Sequence, residues 1–169
     1  MYYDINDIET EGQRVPTTFN VTVPHLGHIV GNTETIESGT VLELPLWLAG
    51  QLSTVQVDND AETTFVSLEE PAVFSPDVIN ALKSAPVSLD LAEQSTVFTN
   101  LALHWLQMFD FPELANVLYD AVQQRSAEIY DYAVAQRGAQ PQFDESERQL
   151  YRLVHGVMRN MRAWQAFGQ

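Results

Sequence analysis

The spacing of apolar residues along the chain changes once, near residue 70. Before that point Phe19, Val21 and Val23 alternate with polar residues between Pro16 and Pro24, the two-residue period of a half-buried strand. Ile36-Glu37-Ser38-Gly39-Thr40 reads as a turn into a short strand over 41–44. Pro45 fits the first position of a short helix, Leu46-Trp47-Leu48-Ala49, because an N–H there would be unpaired in any case. Val55-Gln56-Val57 and residues 64–68 read as two strands around the acidic turn Asp58-Asn59-Asp60. After Pro71 the period becomes helical. Ser75-Pro76-Asp77 looks like an N-cap and first turn of a helix ending near Ser84, where Pro86 follows. Further helices are expected over 95–110, 112–137 and 144–167, with residues 138–141 as a short antiparallel connection. The pattern predicts an α+β chain: a small β-rich domain over 1–70 and an α-helical bundle domain over 71–169.

The helix faces carry further information. The 95–110 helix is apolar on nearly every side from Phe98 to Phe109, with Leu101, Trp105 and Met108 prominent, so more than one face needs cover. One face is expected to pack internally and another against a partner subunit. In the 112–137 helix Leu114, Leu118, Ala121, Ile129 and Tyr132 share one face, and Arg125 falls in its middle. Two arrangements fit: a stem lying on apolar surface with its guanidinium in water, or a bidentate ion pair with an acid. In the last helix Leu150, Leu153, Val154, Val157, Met161 and Trp164 gather on one side, expected to be a core face. Arg148, Arg152, His155, Arg159 and Arg162 line the other. That basic stripe suits either a solvated surface or a partner-facing one.

Charge sharpens the division. The 169 residues carry a net charge of -15. Residues 1–70 hold twelve of the acids and one base, Arg14, a net of -11; the remaining eleven acids and seven bases leave -4 for residues 71–169. Such a field opposes unaided binding to a phosphate backbone, so no direct nucleic-acid binding is expected of the isolated chain. There is no cysteine, which excludes disulfides and thiolate metal sites. No stretch approaches the roughly 20 apolar residues of a membrane span, and the start has neither a basic segment nor an apolar run.

Enzymatic chemistry is hard to place. The chain has no P-loop, no Gly-x-Gly-x-x-Gly, no Gly-x-Ser-x-Gly elbow and no His-Glu-x-x-His. His25-Leu26-Gly27-His28 would hold a metal only with ligands from distant acids, and His104 lies within an apolar helix. The expectation is a protein without catalytic residues, cofactor or metal.

Several stretches resemble one family, in the same order along almost the whole chain. They are Met1-Tyr2-Tyr3-Asp4-Ile5-Asn6-Asp7-Ile8, Arg14-Val15-Pro16, Val23-Pro24-His25-Leu26-Gly27 and, most specifically, Gly39-Thr40-Val41-Leu42-Glu43-Leu44-Pro45-Leu46-Trp47-Leu48-Ala49. Ala85-Pro86-Val87-Ser88-Leu89-Asp90-Leu91 and Phe143-Asp144-Glu145-Ser146-Glu147-Arg148 continue the series. Together they resemble the GINS subunit family, in particular its partner-of-Sld-five subunit three. His25 and His28 depart from it, standing where relatives often carry Gly or an aromatic.

The resemblance implies a small B domain followed by an A domain, and a nuclear, non-catalytic scaffold role in DNA replication. It implies three other GINS subunits as partners, with the MCM hexamer, cell-division-cycle protein forty-five and, through the complex, DNA polymerase epsilon. Leu46, Trp47, Leu48, Leu101, Trp105, Met108, Arg125, Val157, Met161 and Trp164 are then the expected core or subunit-interface residues. Arg148, Arg152, Arg159 and Arg162 are the candidate partner-facing stripe. The reading of another class is an acidic DNA mimic or inhibitor, motivated by charge alone; a small hydrolase ranks third.

Overall fold

The structure, a computed structural model, describes residues 4–29, 31, 34–57 and 63–167. The chain divides into two compact units, residues 1–72 and 73–169. Among the described residues the first has a three-stranded and a two-stranded sheet with two short α-helices and the second is helical, so the chain is α+β in the expected order.

The first unit opens with a helix that the apolar pattern did not announce, α1 (Ile5–Glu11). Polar groups define it: the Asp4 side chain accepts the Asn6 N–H at 3.0 Å, and the buried Thr10 hydroxyl donates to the Asn6 carbonyl at 2.6 Å. Strand β1 (Arg14–Phe19) follows, starting earlier than the alternation of Phe19, Val21 and Val23 suggested and ending at Phe19. Asn20 explains the early end, since its side chain donates to the Thr64 carbonyl at 2.9 Å and to Ser67 Oγ at 2.8 Å. Strand β2 (Val23–Pro24) pairs instead with β3 (Thr35–Ile36).

Strand β1 is the centre of a three-stranded antiparallel sheet. On one side it pairs with β4 (Val41–Pro45), from Arg14↔Pro45 to Thr18↔Val41. Val15, Thr17 and Phe19 point inward at the two-residue period and are buried with Ile36 and Leu44. The turn into β4 uses Gly39 at φ 87, whose N–H donates to the Phe19 carbonyl at 2.7 Å. Pro45 closes β4 and is the N-cap of α2 (Leu46–Ser53) rather than its first residue, and the helix runs a turn further than Ala49. The other side of β1 takes β5 (Val66–Leu68), from Thr17↔Leu68 to Phe19↔Val66. The strand expected over 55–57 is reduced to one bridge, Gln56↔Thr64, where the Val57 N–H donates to the Thr63 carbonyl at 3.1 Å and the Phe65 N–H to the Val55 carbonyl at 2.8 Å. The acidic turn at Asp58 to Asp60 lies outside the described residues.

In the second unit α3 (Pro76–Ser84) starts with Ser75 as N-cap and Pro76 in the first turn. The single helix expected over 95–110 is two elements: α4 (Leu91–Gln94), capped by Asp90, and α5 (Phe98–Met108), separated by an extended Ser95 at φ -163. Helix α6 (Pro112–Val134) stops before Arg137 because Gln136 takes the left-handed region at φ 57, and the Arg137 N–H donates to the Tyr132 carbonyl at 3.0 Å. Helix α7 (Glu145–Phe167) is the last element. Phe74, Ile79, Leu82, Phe98, Leu101, Trp105, Leu114, Leu118 and Ile129 are buried among these helices. The Phe74 ring stands 5.8 Å from that of Phe98 and 6.1 Å from that of Trp105, spacings at which aromatic pairs attract.

Candidate functional site

Arg125 is 3% exposed and forms an ion pair with Glu147, so of the two arrangements open to it the chain adopts the buried one. Its Nε donates to Glu147 Oε1 at 2.5 Å and its Nη2 to Oε2 at 2.9 Å, the bidentate geometry that a planar guanidinium makes with a carboxylate. Nη1 donates to the carbonyls of Pro86 at 2.5 Å and Leu89 at 2.9 Å, and Nη2 also to that of Gln142 at 3.4 Å. All five donors are used. The segment 86–89 has little regular structure, so Arg125 supplies the partners that its carbonyls lack.

Glu147 and Asp144 form a reciprocal cap at the start of α7. The Glu147 N–H donates to Asp144 Oδ1 at 2.9 Å, and the Asp144 N–H to Glu147 Oε2 at 3.2 Å. Asp144 Oδ2 also accepts the Thr99 N–H of α5 at 2.9 Å, so one carboxylate caps two helices. Neither acid was singled out from the sequence. The Asp-x-x-Glu spacing was the available signal, because it is a capping box read with Asp in the first place.

Beyond that first turn α7 departs from expectation. Leu150, Leu153, Val157, Met161 and Trp164 were expected to face the core, but they are 37%, 68%, 64%, 43% and 77% exposed. Val154, the sixth residue expected on that side, is half-buried. The helix turns a neighbouring face, with Tyr151, Val154 and Met158, toward α6, its principal neighbour. Periodicity identifies an apolar face correctly and says nothing about what covers it. Among the described residues of this unit no further helix lies over the stripe. A groove of about 360 Å³ lined by Tyr130, Leu153, Val154, Val157 and Met158 runs between the two helices.

The other candidates distribute as follows. Leu101 and Trp105 are buried, whereas Leu103 and Met108 on the same helix are exposed. Leu46 is buried, Leu48 half-buried and Trp47 exposed. In the basic stripe Arg148 donates to the Pro141 carbonyl at 3.1 Å, Arg152 pairs with Glu145 at 2.8 Å and Arg162 donates to the Val134 carbonyl at 2.8 Å. Arg159 has no polar partner among the described residues. The His155 ring stacks on that of Tyr151 at 5.6 Å. His25 and His28 are both exposed, and His25 takes a left-handed φ of 66. Among the described residues no group of His, Asp and Glu could hold a metal ion, and no helix is long and apolar enough to cross a membrane.

An exposed apolar stripe on a helical unit is the mark of a subunit of something larger, and comparison with known proteins says of what. Residues 3–54 match the family model of the PSF3 N-terminal domain, and residues 73–166 that of the GINS complex protein helical bundle domain. The chain belongs to the PSF3 family of GINS complex proteins. Among its relatives are proteins named DNA replication complex GINS protein PSF3. That of Debaryomyces hansenii is 36% identical over 169 residues, covering 96% of each chain. That of Aspergillus fumigatus is 37% identical over 171 residues, covering 96% of this chain and 94% of the relative. That of Saccharomyces cerevisiae is 31% identical over 188 residues, covering 96% and 97%. Arg125, Asp144, Glu147 and the uncovered stripe from Leu150 to Trp164 all fall within the GINS helical bundle match.

Proposed function

We propose that this chain is a non-catalytic scaffold subunit of a four-subunit GINS complex acting in DNA replication in the nucleus. Residues 1–70 serve as its B domain and residues 71–169 as its A domain. The three other GINS subunits are its direct partners. Through the complex it works with the MCM hexamer and cell-division-cycle protein forty-five in the replicative helicase, and with DNA polymerase epsilon. The observation that carries the reading is the uncovered side of α7: five large apolar residues, exposed along one stripe, are what a helix shows when its partner is another chain.

Leu103 and Met108 of α5 are further exposed apolar residues of the second unit, and Trp47 of α2 is one of the first, considered by itself. The basic stripe, three of whose four arginines bind groups of their own chain, is assigned to solvent. Affinity purification at endogenous level followed by mass spectrometry tests the function. Three co-purifying GINS subunits are expected, and their absence would overturn it.

A further inference from the structure

A second cavity opens beside the Arg125–Glu147 pair. Its volume is about 100 Å³, and its apolar lining includes Leu91, Phe98, Leu118, Val122, Ile129 and Leu150, from four helices of the second unit. Val122 and Leu150 are exposed, so the cavity has a mouth between α6 and α7.

Charge does not select its ligand. Arg125 and Glu147 also line the cavity, but the guanidinium has spent its five donors and both carboxylate oxygens accept. Among the described residues no buried side-chain polar atom lacks a partner. An ion or a strongly polar group placed there would lose its hydration and gain nothing. The site asks for an apolar occupant.

Two facts say which. Cavities of roughly 150 Å³ with this kind of lining accept a benzene ring, so one of about 100 Å³ suits a smaller aliphatic group. Leu150 belongs both to the mouth and to the exposed stripe of α7, so whatever covers the stripe passes over the opening. We infer that this cavity is a socket for one aliphatic side chain, of leucine, isoleucine or methionine size, projecting from the GINS subunit that lies along α7. This rests on the docking role assigned above to the α7 stripe. An anchor in a dry pocket is the form that interface hot spots take, and the socket would fix the register of the partner along α7.

The absence of cysteine from the chain provides a clean test. Single cysteines are placed at Val122 in the mouth, at Val157 on the stripe and at Gln124, exposed on the far side of α6, and each variant is co-expressed with the other subunits. Alkylation of each site in the purified complex is followed by peptide mass spectrometry. Val122→Cys and Val157→Cys are expected to react at least tenfold more slowly than Gln124→Cys. In parallel, Ser126→Phe fills the socket from its own wall, and recovery of the complex is expected to fall at least tenfold. Protection at Val157 with free reaction at Val122 would overturn the socket and leave the docking of α7 standing. Free reaction at both sites would overturn both. Protection at Val122 with full recovery of Ser126→Phe would mean a cavity covered but not entered, and the socket would fail. Should Ser126→Phe not fold, the smaller Ser126→Leu, from the same wall, takes its place in the recovery measurement with the same two outcomes.

Discussion

At the start of α7, Asp144 and Glu147 are buried charged groups with every side-chain oxygen engaged, tied to α5 through the Thr99 N–H and to α6 through Arg125. From Leu153 to Trp164 the same helix carries its largest apolar side chains in the open. Burial by residue type is thus reversed along one element. The start of the helix is a finished interior, where polar groups are tolerated because each is matched. The remainder resembles a core cut through, the condition of a surface that another chain completes.

The most severe way to break this contrast is Arg125→Met, which leaves the Glu147 carboxylate buried without its counter-ion and the Pro86 and Leu89 carbonyls without donors. A loss of about 3–5 kcal/mol is expected in urea unfolding. A loss under about 0.5 kcal/mol would show that the pair is dispensable. The double variant with Glu147→Leu should recover part of the loss, since it removes both charges together.

At the other end Val157→Asp separates folding from assembly. The position is exposed, so the unfolding free energy of the chain should stay within about 0.5 kcal/mol of the parent. Association with the other subunits should weaken by about 2 kcal/mol or more, read by titration or co-purification yield. The reverse outcome, an unfolded chain, would restore α7 to the core.

Asp144→Ala probes the junction between the two ends. It removes the N-cap of α7 and the acceptor of the Thr99 N–H together, and about 2 kcal/mol should be lost in thermal or urea unfolding, near the upper end for a single cap. Loss of helix confined to α7, seen by hydrogen exchange, would mean that the contact with α5 contributes little.

The smallest effect is expected from Arg152→Glu with Arg159→Glu. Arg152 is exposed and pairs with Glu145, and Arg159 is exposed, so stability and assembly should each change by less than about 0.5 kcal/mol. A larger defect in assembly, deepening as salt is lowered, would place the basic stripe against a partner.

How far the sequence could be read depended on the range of the interaction. The start of α3 is set locally by Pro76 in its first turn, and it was legible. So was the turn before β4, which rests on Gly39. The end of β1 was not legible, because it depends on Asn20 meeting Thr64 and Ser67, more than forty residues away. Nor was the short extent of the pairing at 55–57, which comes down to the single bridge Gln56↔Thr64.

For the candidate site the same line can be drawn. The sequence alone determined that α7 is amphipathic and that Arg125 lies on the apolar face of α6, since both follow from a 3.6-residue period. It also determined the family, through motifs in unbroken order. Only the tertiary structure decided that Arg125 meets Glu147 and that the apolar side of α7 stays uncovered. A helical period specifies the direction in which each side chain leaves its own helix, whereas burial depends on whether another element stands in that direction, and that is a property of the packed chain.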